Sequence, residues 1–76
     1  MGGLKNIPLR TFREYLTYNG LKIIRTNGGH EIWGGKPLMR PITLQSHICP
    51  VPEFIVKQCL RALNKDKDDF DNFMRT

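Results

Sequence analysis

The chain has 76 residues and a formal net charge of +5, from 12 Lys and Arg side chains against seven Asp and Glu. This length suits one domain and excludes a large enzyme with separate lobes for substrate and cofactor. No apolar run approaches the roughly 20 residues of a membrane-spanning helix, and the two cysteines indicate neither a disulfide framework nor secretion. We therefore expect a cytoplasmic protein with no membrane partner.

The positive charge is concentrated in the first part of the chain. Residues 1–63 carry nine basic and three acidic side chains, a charge of +6, whereas residues 64–76 carry three basic and four acidic ones. An excess of this density on so small a surface favours anionic partners, nucleic acid first.

The first element in chain order is an amphipathic helix. Pro8 can occupy its first turn without the loss of a hydrogen bond. Apolar side chains then recur at helical spacing, at Leu9, Phe12, Tyr15 and Leu16. Asn19 and Gly20 supply a left-handed stop, so we predict that the helix ends there.

Three strands are predicted next. Residues 21–26 are rich in branched side chains, and Asn27-Gly28 suits a two-residue type I′ turn into a second strand at residues 30–33. Residues 39–45 alternate again, with Ile42 and Leu44 on one face and Thr43 on the other.

Alternation along the second strand assigns its faces. His30 shares a face with Ile32, which we expect to be the buried face, while Glu31 and Trp33 point outward. To remain accessible, His30 must then lie at the end of the sheet, beyond the helices, which is the position we favour. The alternative is a bulge at Gly28-Gly29 that redirects its side chain.

Two further helices follow the strands. Pro50 and Pro52 close the loop after the third strand. An apolar stripe then predicts a helix that packs by one side, at Ile55, Val56, Cys59, Leu60 and Leu63. Residues 66–75 begin with acidic side chains and carry Phe70, Phe73 and Met74 on one side, which indicates a short third helix.

These elements predict an α+β fold. The short connections make the strands a meander, and helices with single apolar stripes can cover only one face of it. We expect an α-β-β-β-α sandwich, a three-stranded antiparallel sheet with two helices on one face, in the element order of double-stranded-RNA-binding domains. A single domain spans residues 1–76, with a core at about 7–63 and the short helix at about 66–75.

The stretch from Thr26 to Trp33, TNGGHEIW, follows a predicted helix that ends in Asn19-Gly20-Leu21. In both features the chain resembles the HicA family of mRNA interferase toxins. Residues 40–44 look like its third strand, His47 stands where a second histidine often follows, and residues 52–63 look like its second helix. The resemblance covers roughly residues 7–73.

This resemblance implies a bacterial ribonuclease that cuts mRNA, arrests translation and is held inactive by a HicB-like antitoxin. The catalytic histidine of the family maps onto His30, with His47 as a candidate second acid or base. The chain departs from the family at Gly29, where serine is usual, and at Gln45, where proline is common. RNA supplies its own nucleophile, the 2′-hydroxyl, so no cofactor is expected.

The RNA-binding residues should be cations, the glycines that permit close approach, and a ring that stacks on bases. They are Lys22, Arg25, Gly28, Gly29, Trp33, Lys36 and Arg40. Solubilising surface charge is the alternative role for the cations. Glu31 is expected to balance Arg25 across the hairpin.

The residues alone leave other interpretations open. Composition favours glycines that merely form the hairpin, with His30 as an exposed strand residue, and the resemblance reverses that preference. His47 fits an ordinary solvated loop residue equally well. The cysteines and histidines match no zinc spacing, so no metal site is predicted, and Cys59 is more simply a buried apolar residue.

Three functions are compatible with these observations. The first is an endoribonuclease toxin. The second is a non-catalytic RNA-binding module of the same fold. The third is an interaction protein that mainly binds an acidic antitoxin over Arg25, Arg40 and His30.

Overall fold

The computed structural model describes residues 6–75 and confirms the predicted α+β fold. Residues 1–5 and 76, which the single-domain prediction includes, lie outside the described range. The elements are α1 (Leu9–Tyr18), β1 (Lys22–Asn27), β2 (His30–Gly34), β3 (Ile42–Gln45), α2 (Glu53–Leu63) and α3 (Lys67–Arg75). The strands form an antiparallel sheet in the order β1-β2-β3. Within residues 6–75 no helix is long and apolar enough to cross a bilayer.

Helix α1 is bounded by residues that cannot continue it. Pro8 precedes the helix in an extended conformation and contributes no amide donor. At the other end the backbone N–H of Leu21 donates to the carbonyl of Leu16, and that of Gly20 donates to Thr17. Gly20 has a φ of +85°, so this is a Schellman ending, in which glycine adopts the left-handed conformation at low cost.

Helices α1 and α2 cover one face of the sheet, α3 packs against α1, and all three share one core with the sheet. The sheet contributes Trp33, Ile42 and Leu44, and α1 and α2 contribute their apolar stripes. Phe70 of α3 is fully buried, and its ring lies edge-on to Tyr15 with 4.8 Å between ring centroids. The Tyr15 hydroxyl also donates to Asp69 of α3 at 2.8 Å. The core therefore extends beyond residue 63 and includes the third helix.

The predicted faces of β2 are wrong. Glu31 and Trp33 point toward the helices, with only 8% and 4% of their surfaces exposed. His30 therefore lies with Ile32 on the opposite face, which none of the helices in residues 6–75 covers, and His30 is exposed. The large ring of Trp33 gains more from burial than Ile32 does, because apolar burial scales with area. We call the uncovered face the open face.

An ion pair between half-buried Arg13 and buried Glu31 accompanies this choice of face. Arg13 of α1 donates from Nε to Glu31 Oε1 at 3.1 Å and from Nη2 to Oε2, and Trp33 Nε1 also donates to Oε1 at 3.1 Å. The Arg13 hydrogen bond lowers the pKa of Glu31 and outweighs the opposing effect of burial. Glu31 consequently balances Arg13, not Arg25, which lies opposite Ile32 on the open face.

The hairpin turn differs from the predicted one by a residue. Asn27 pairs with His30, so the turn consists of Gly28 and Gly29. Only Gly28 has a positive φ, +63°, whereas a type I′ turn needs two such residues. This sign pattern is that of a type II′ turn, which places glycine first.

The start of the third strand and the position of the β-bulge also differ from the predictions. Residue 39 was the predicted start of the third strand, but β3 begins at Ile42, since Pro41 has no amide hydrogen to donate to a ladder. Arg40 therefore lies before the strand. A β-bulge falls between Ile23 and Arg25 in β1, and none occurs at the turn glycines.

The Arg13 to Glu31 contact makes a prediction about stability. Arg13→Met should lower the free energy of unfolding by about 1–3 kcal/mol, because it deprives a buried carboxylate of its charged partner. The matched change Arg10→Met, on the same helix, removes only an exposed pair with Glu14 and should cost at most about 0.5 kcal/mol. Urea unfolding at neutral pH measures both. Equal losses in the two variants would contradict the structural role of Glu31.

Candidate functional site at the hairpin end of the sheet

His30 is the first residue of β2 and lies at the hairpin end of the sheet. Its strand partners are Asn27 on one side and Gln45 on the other. The position at the end of the sheet agrees with the prediction, but the side chain reaches the open face by ordinary alternation and without a bulge. An imidazole there is accessible to a polymer that crosses the open face.

His47 lies against the turn and joins His30 at this end. A Cβ atom built on Gly29 would lie 2.6 Å from His47 Nδ1 and 3.0 Å from Cε1, so the imidazole occupies the space that a side chain at position 29 would need. Because Gly29 has no side chain, the His47 ring can lie against the turn. His47 itself is exposed.

Ser46 ties the loop of His47 to the hairpin. Its backbone N–H donates to the carbonyl of Gly29 at 2.7 Å, and its hydroxyl donates to the same oxygen at 3.0 Å. Sequence reasoning missed Ser46, because the contact spans 17 residues and depends on the register between β2 and β3. No local pattern around Ser46 marks it.

Two of the predicted RNA-binding cations lie on the open face. Arg25 pairs with Ile32 and Lys22 pairs with Gly34, so both side chains share the face of His30. At a rise of about 3.3 Å per residue, Arg25 lies ~7 Å along the sheet from His30, and Lys22 lies ~13 Å away. Neither forms an ion pair within residues 6–75.

Lys36 and Arg40 are not part of this cluster. Lys36 follows the far end of β2, and Arg40 precedes β3, opposite the end that carries His30. Both are exposed and without an ion pair in the described chain. Their charges can hold a long anion at a distance, but they cannot act at the histidines.

Trp33 cannot stack on a base, which corrects the prediction. Its ring is buried in the core and its Nε1 already donates to Glu31. The open face instead presents Ile24 and Ile32. The bulge places Ile24 over Gly34, where an added Cβ would lie 3.1 Å from its Cδ1, and Ile24 is 55% exposed. These side chains give the face a small apolar centre, which the strand pattern alone did not reveal.

The cysteines do not contribute to the site. Cys59 is buried on α2, as expected, and burial raises the pKa of its thiol to about 12. Cys49 is exposed in the loop before α2. Across residues 6–75 no group of three or more His, Cys, Asp or Glu side chains is arranged to hold a metal ion.

Comparisons of this chain with protein families, with curated proteins and with solved structures found no significant match. The geometry of the hairpin end and of the open face is therefore what bears on function.

The two turn glycines should respond differently to the same substitution. Gly28→Ala places a side chain at a left-handed φ and should lower the free energy of unfolding by about 1–2 kcal/mol. Gly29→Ala has no such strain but displaces the exposed His47 ring, so stability should change by less than about 1 kcal/mol.

Urea unfolding measures the stability effects, and the NMR shifts of the His47 ring report its displacement. His47 shifts that stay unchanged in Gly29→Ala would contradict the contact between the two residues.

Proposed function

We propose that the protein is a HicA-like toxin, an endoribonuclease that cleaves mRNA without a metal and inhibits translation in a bacterial cytoplasm. The observation that carries the proposal is that both histidines lie at the hairpin end of the sheet, His30 as the first residue of β2 and His47 against Gly29 of the turn. The unpaired cations Lys22 and Arg25 on the same side of the sheet support it. A HicB-like antitoxin is the proposed inhibitor.

The reaction needs two proton transfers, and two imidazoles can supply them. One takes the proton of the RNA 2′-hydroxyl while that oxygen attacks the adjacent phosphorus. The other gives a proton to the departing 5′-oxygen as its bond to phosphorus breaks. The products are a 2′,3′-cyclic phosphate and a free 5′-hydroxyl. Each positioned proton transfer typically contributes about 10²–10⁴ in rate.

The open face has the features that would hold the substrate. Arg25 is close enough along the sheet to contact a phosphate next to the cleaved one, and its fixed charge would stabilise the charge that develops in the transition state. Lys22 can contact a phosphate further along. Within the described residues nothing lies within 4 Å of the position that a Cβ of Gly28 would take, so the RNA backbone can approach the turn there, whereas His47 occupies the space beside Gly29.

Cleavage of a messenger transcript in the presence of a chelator tests the proposal. His30→Ala should reduce the rate at least ~10²-fold, because it removes one proton transfer. His47→Ala should reduce the rate in the same manner, and Gly29→Ala should mimic it by displacing the ring. Combining Gly29→Ala with His47→Ala should add little to either change alone. End-group analysis should find the cyclic phosphate.

Controls separate catalysis from folding. Urea midpoints of the histidine variants should match wild type, and Lys65→Ala, a change of an exposed residue after α2, should cleave normally. Intact transcripts after long incubation with wild type, or undiminished cleavage by His30→Ala, would defeat the proposal. Growth arrest on induction of wild type but not of His30→Ala is the corresponding test in cells.

A non-catalytic RNA-binding module is the second candidate function. The unpaired cations of the open face favour it, since they would bind RNA whether or not the histidines act. Salt-dependent RNA binding by wild type, with transcripts left intact, would support this function instead.

The open face also predicts the salt dependence of binding. For single-stranded RNA, Arg25→Ala and Lys22→Ala should each reduce the slope of log affinity against log salt by about 0.7, since each removes one phosphate contact. Lys67→Ala, at the start of α3, is the matched control and should leave the slope unchanged. Fluorescence anisotropy between about 50 and about 200 mM salt measures the slopes. Equal slopes in all variants would place the RNA elsewhere.

A further inference from the structure

A groove of about 950 Å³ runs between the edge of β3 and the flank of α2. It lies apart from the centre of the open face and reaches the hairpin end at His30, which contributes to its lining. Its walls include apolar side chains that are unusually exposed. Met39 is 99% exposed and Phe54 is 68% exposed, while Ile48 and Ile55 are half-buried beside them.

One wall of the groove is a strand edge that pairs with no other strand of residues 6–75. β3 is the last strand of the sheet, and Ser46 donates its backbone N–H to Gly29 on the β2 side. The alternation of an antiparallel ladder then directs the backbone groups of Thr43 and the N–H of Gln45 away from β2, into the groove. The Gln45 carbonyl already accepts from Ile48 at 3.2 Å. An exposed edge with free donors and acceptors is a template for another strand.

The charges of the groove have one sign. Its lining contains Arg40 and Arg61 and no Asp or Glu. Neither arginine forms an ion pair within the described part of the chain, whereas Lys57 on the same helix is paired with Glu53 at 3.4 Å. A complementary occupant therefore carries carboxylates.

We propose that this groove binds an extended acidic segment of another protein, which adds to β3 as a fourth strand. Backbone hydrogen bonds to Thr43 and Gln45 supply affinity, and apolar side chains at alternate positions pack against Phe54 and Ile55. Carboxylates of the segment meet Arg40 and Arg61. This inference does not depend on RNA cleavage.

Other occupants fit less well. A second copy of the chain would bring two molecules of net charge +5 together, with arginines in both grooves. RNA has no extended amide backbone to pair with the donors and acceptors of β3. Both alternatives become outcomes of the experiment.

A set of nine-residue, end-capped peptides tests the proposal. The probe alternates valine and glutamate, and the matched peptide alternates valine and lysine. Two further versions of the probe are N-methylated, one on the amides of the odd-numbered residues and the other on those of the even-numbered residues. The acidic probe should bind with a Kd of about 100 µM or tighter and the basic peptide at least ~10-fold more weakly. Only one methylated version should lose binding, because alternate amides of a strand face opposite edges.

Protein variants locate the peptide on the chain. Arg61→Glu should weaken binding of the acidic probe ~10-fold, while Lys65→Glu, the same charge change at an exposed residue outside the groove lining, should leave it unchanged. Phe54→Ser should also weaken binding, and the amide NMR signals of Thr43 and Gln45 should move on titration with the probe.

Several results would overturn the proposal. The first is that the acidic probe does not bind at about 1 mM, and the second is that the acidic and basic peptides bind equally. The third is that both methylated versions bind as well as the probe. The fourth is that Arg61→Glu and Lys65→Glu have equal effects. Sedimentation that shows a dimer lost in Arg61→Glu would assign the groove to a second copy. A single-stranded RNA oligonucleotide that moves the Thr43 and Gln45 amide signals while the peptide does not would assign it to RNA.

Discussion

Glu31 is the one buried acidic side chain within residues 6–75, and it receives hydrogen bonds from Arg13 of α1 and from Trp33 of its own strand. A carboxylate can be buried only where such donors compensate for the water it loses. The contact therefore fixes α1 over the face of β2 that carries Glu31 and Trp33. By alternation it also sends His30 and Ile32 to the open face, and the candidate site depends on that choice.

The contact also determines how the positive charge of the protein is distributed. Arg13 is neutralised by Glu31. Four of the cations that form no ion pair within residues 6–75 border two surfaces. Lys22 and Arg25 lie on the open face, and Arg40 and Arg61 lie along the groove of β3 and α2. One short strand, β3, borders both surfaces. The excess of basic side chains in the first part of the chain thus contributes to two separate chemical environments.

The helices and the strand order could be predicted from sequence, because apolar spacing and the Asn19-Gly20 and Pro52 boundaries are local signals. The face of β2 could not. Alternation allows either assignment, and Arg13, which lies 18 residues from Glu31, decides between them. His30 could be selected from the resemblance of its hairpin. The position of His47 against Gly29 could not be predicted, because it depends on the register between β2 and β3, which no local sequence pattern determines.

The double hydrogen bond from Ser46 to the Gly29 carbonyl has a consequence for the timing of assembly. The hairpin of β1 and β2 is local and can form early, but it presents His30 alone. His47 arrives only when β3 has paired and the loop beyond it has closed on the turn. Contacts between distant parts of a chain form after local ones, at greater entropic cost. In a nascent or partly folded chain His47 would thus not yet lie beside the turn. Any chemistry that needs both histidines would begin only after β3 has paired with β2.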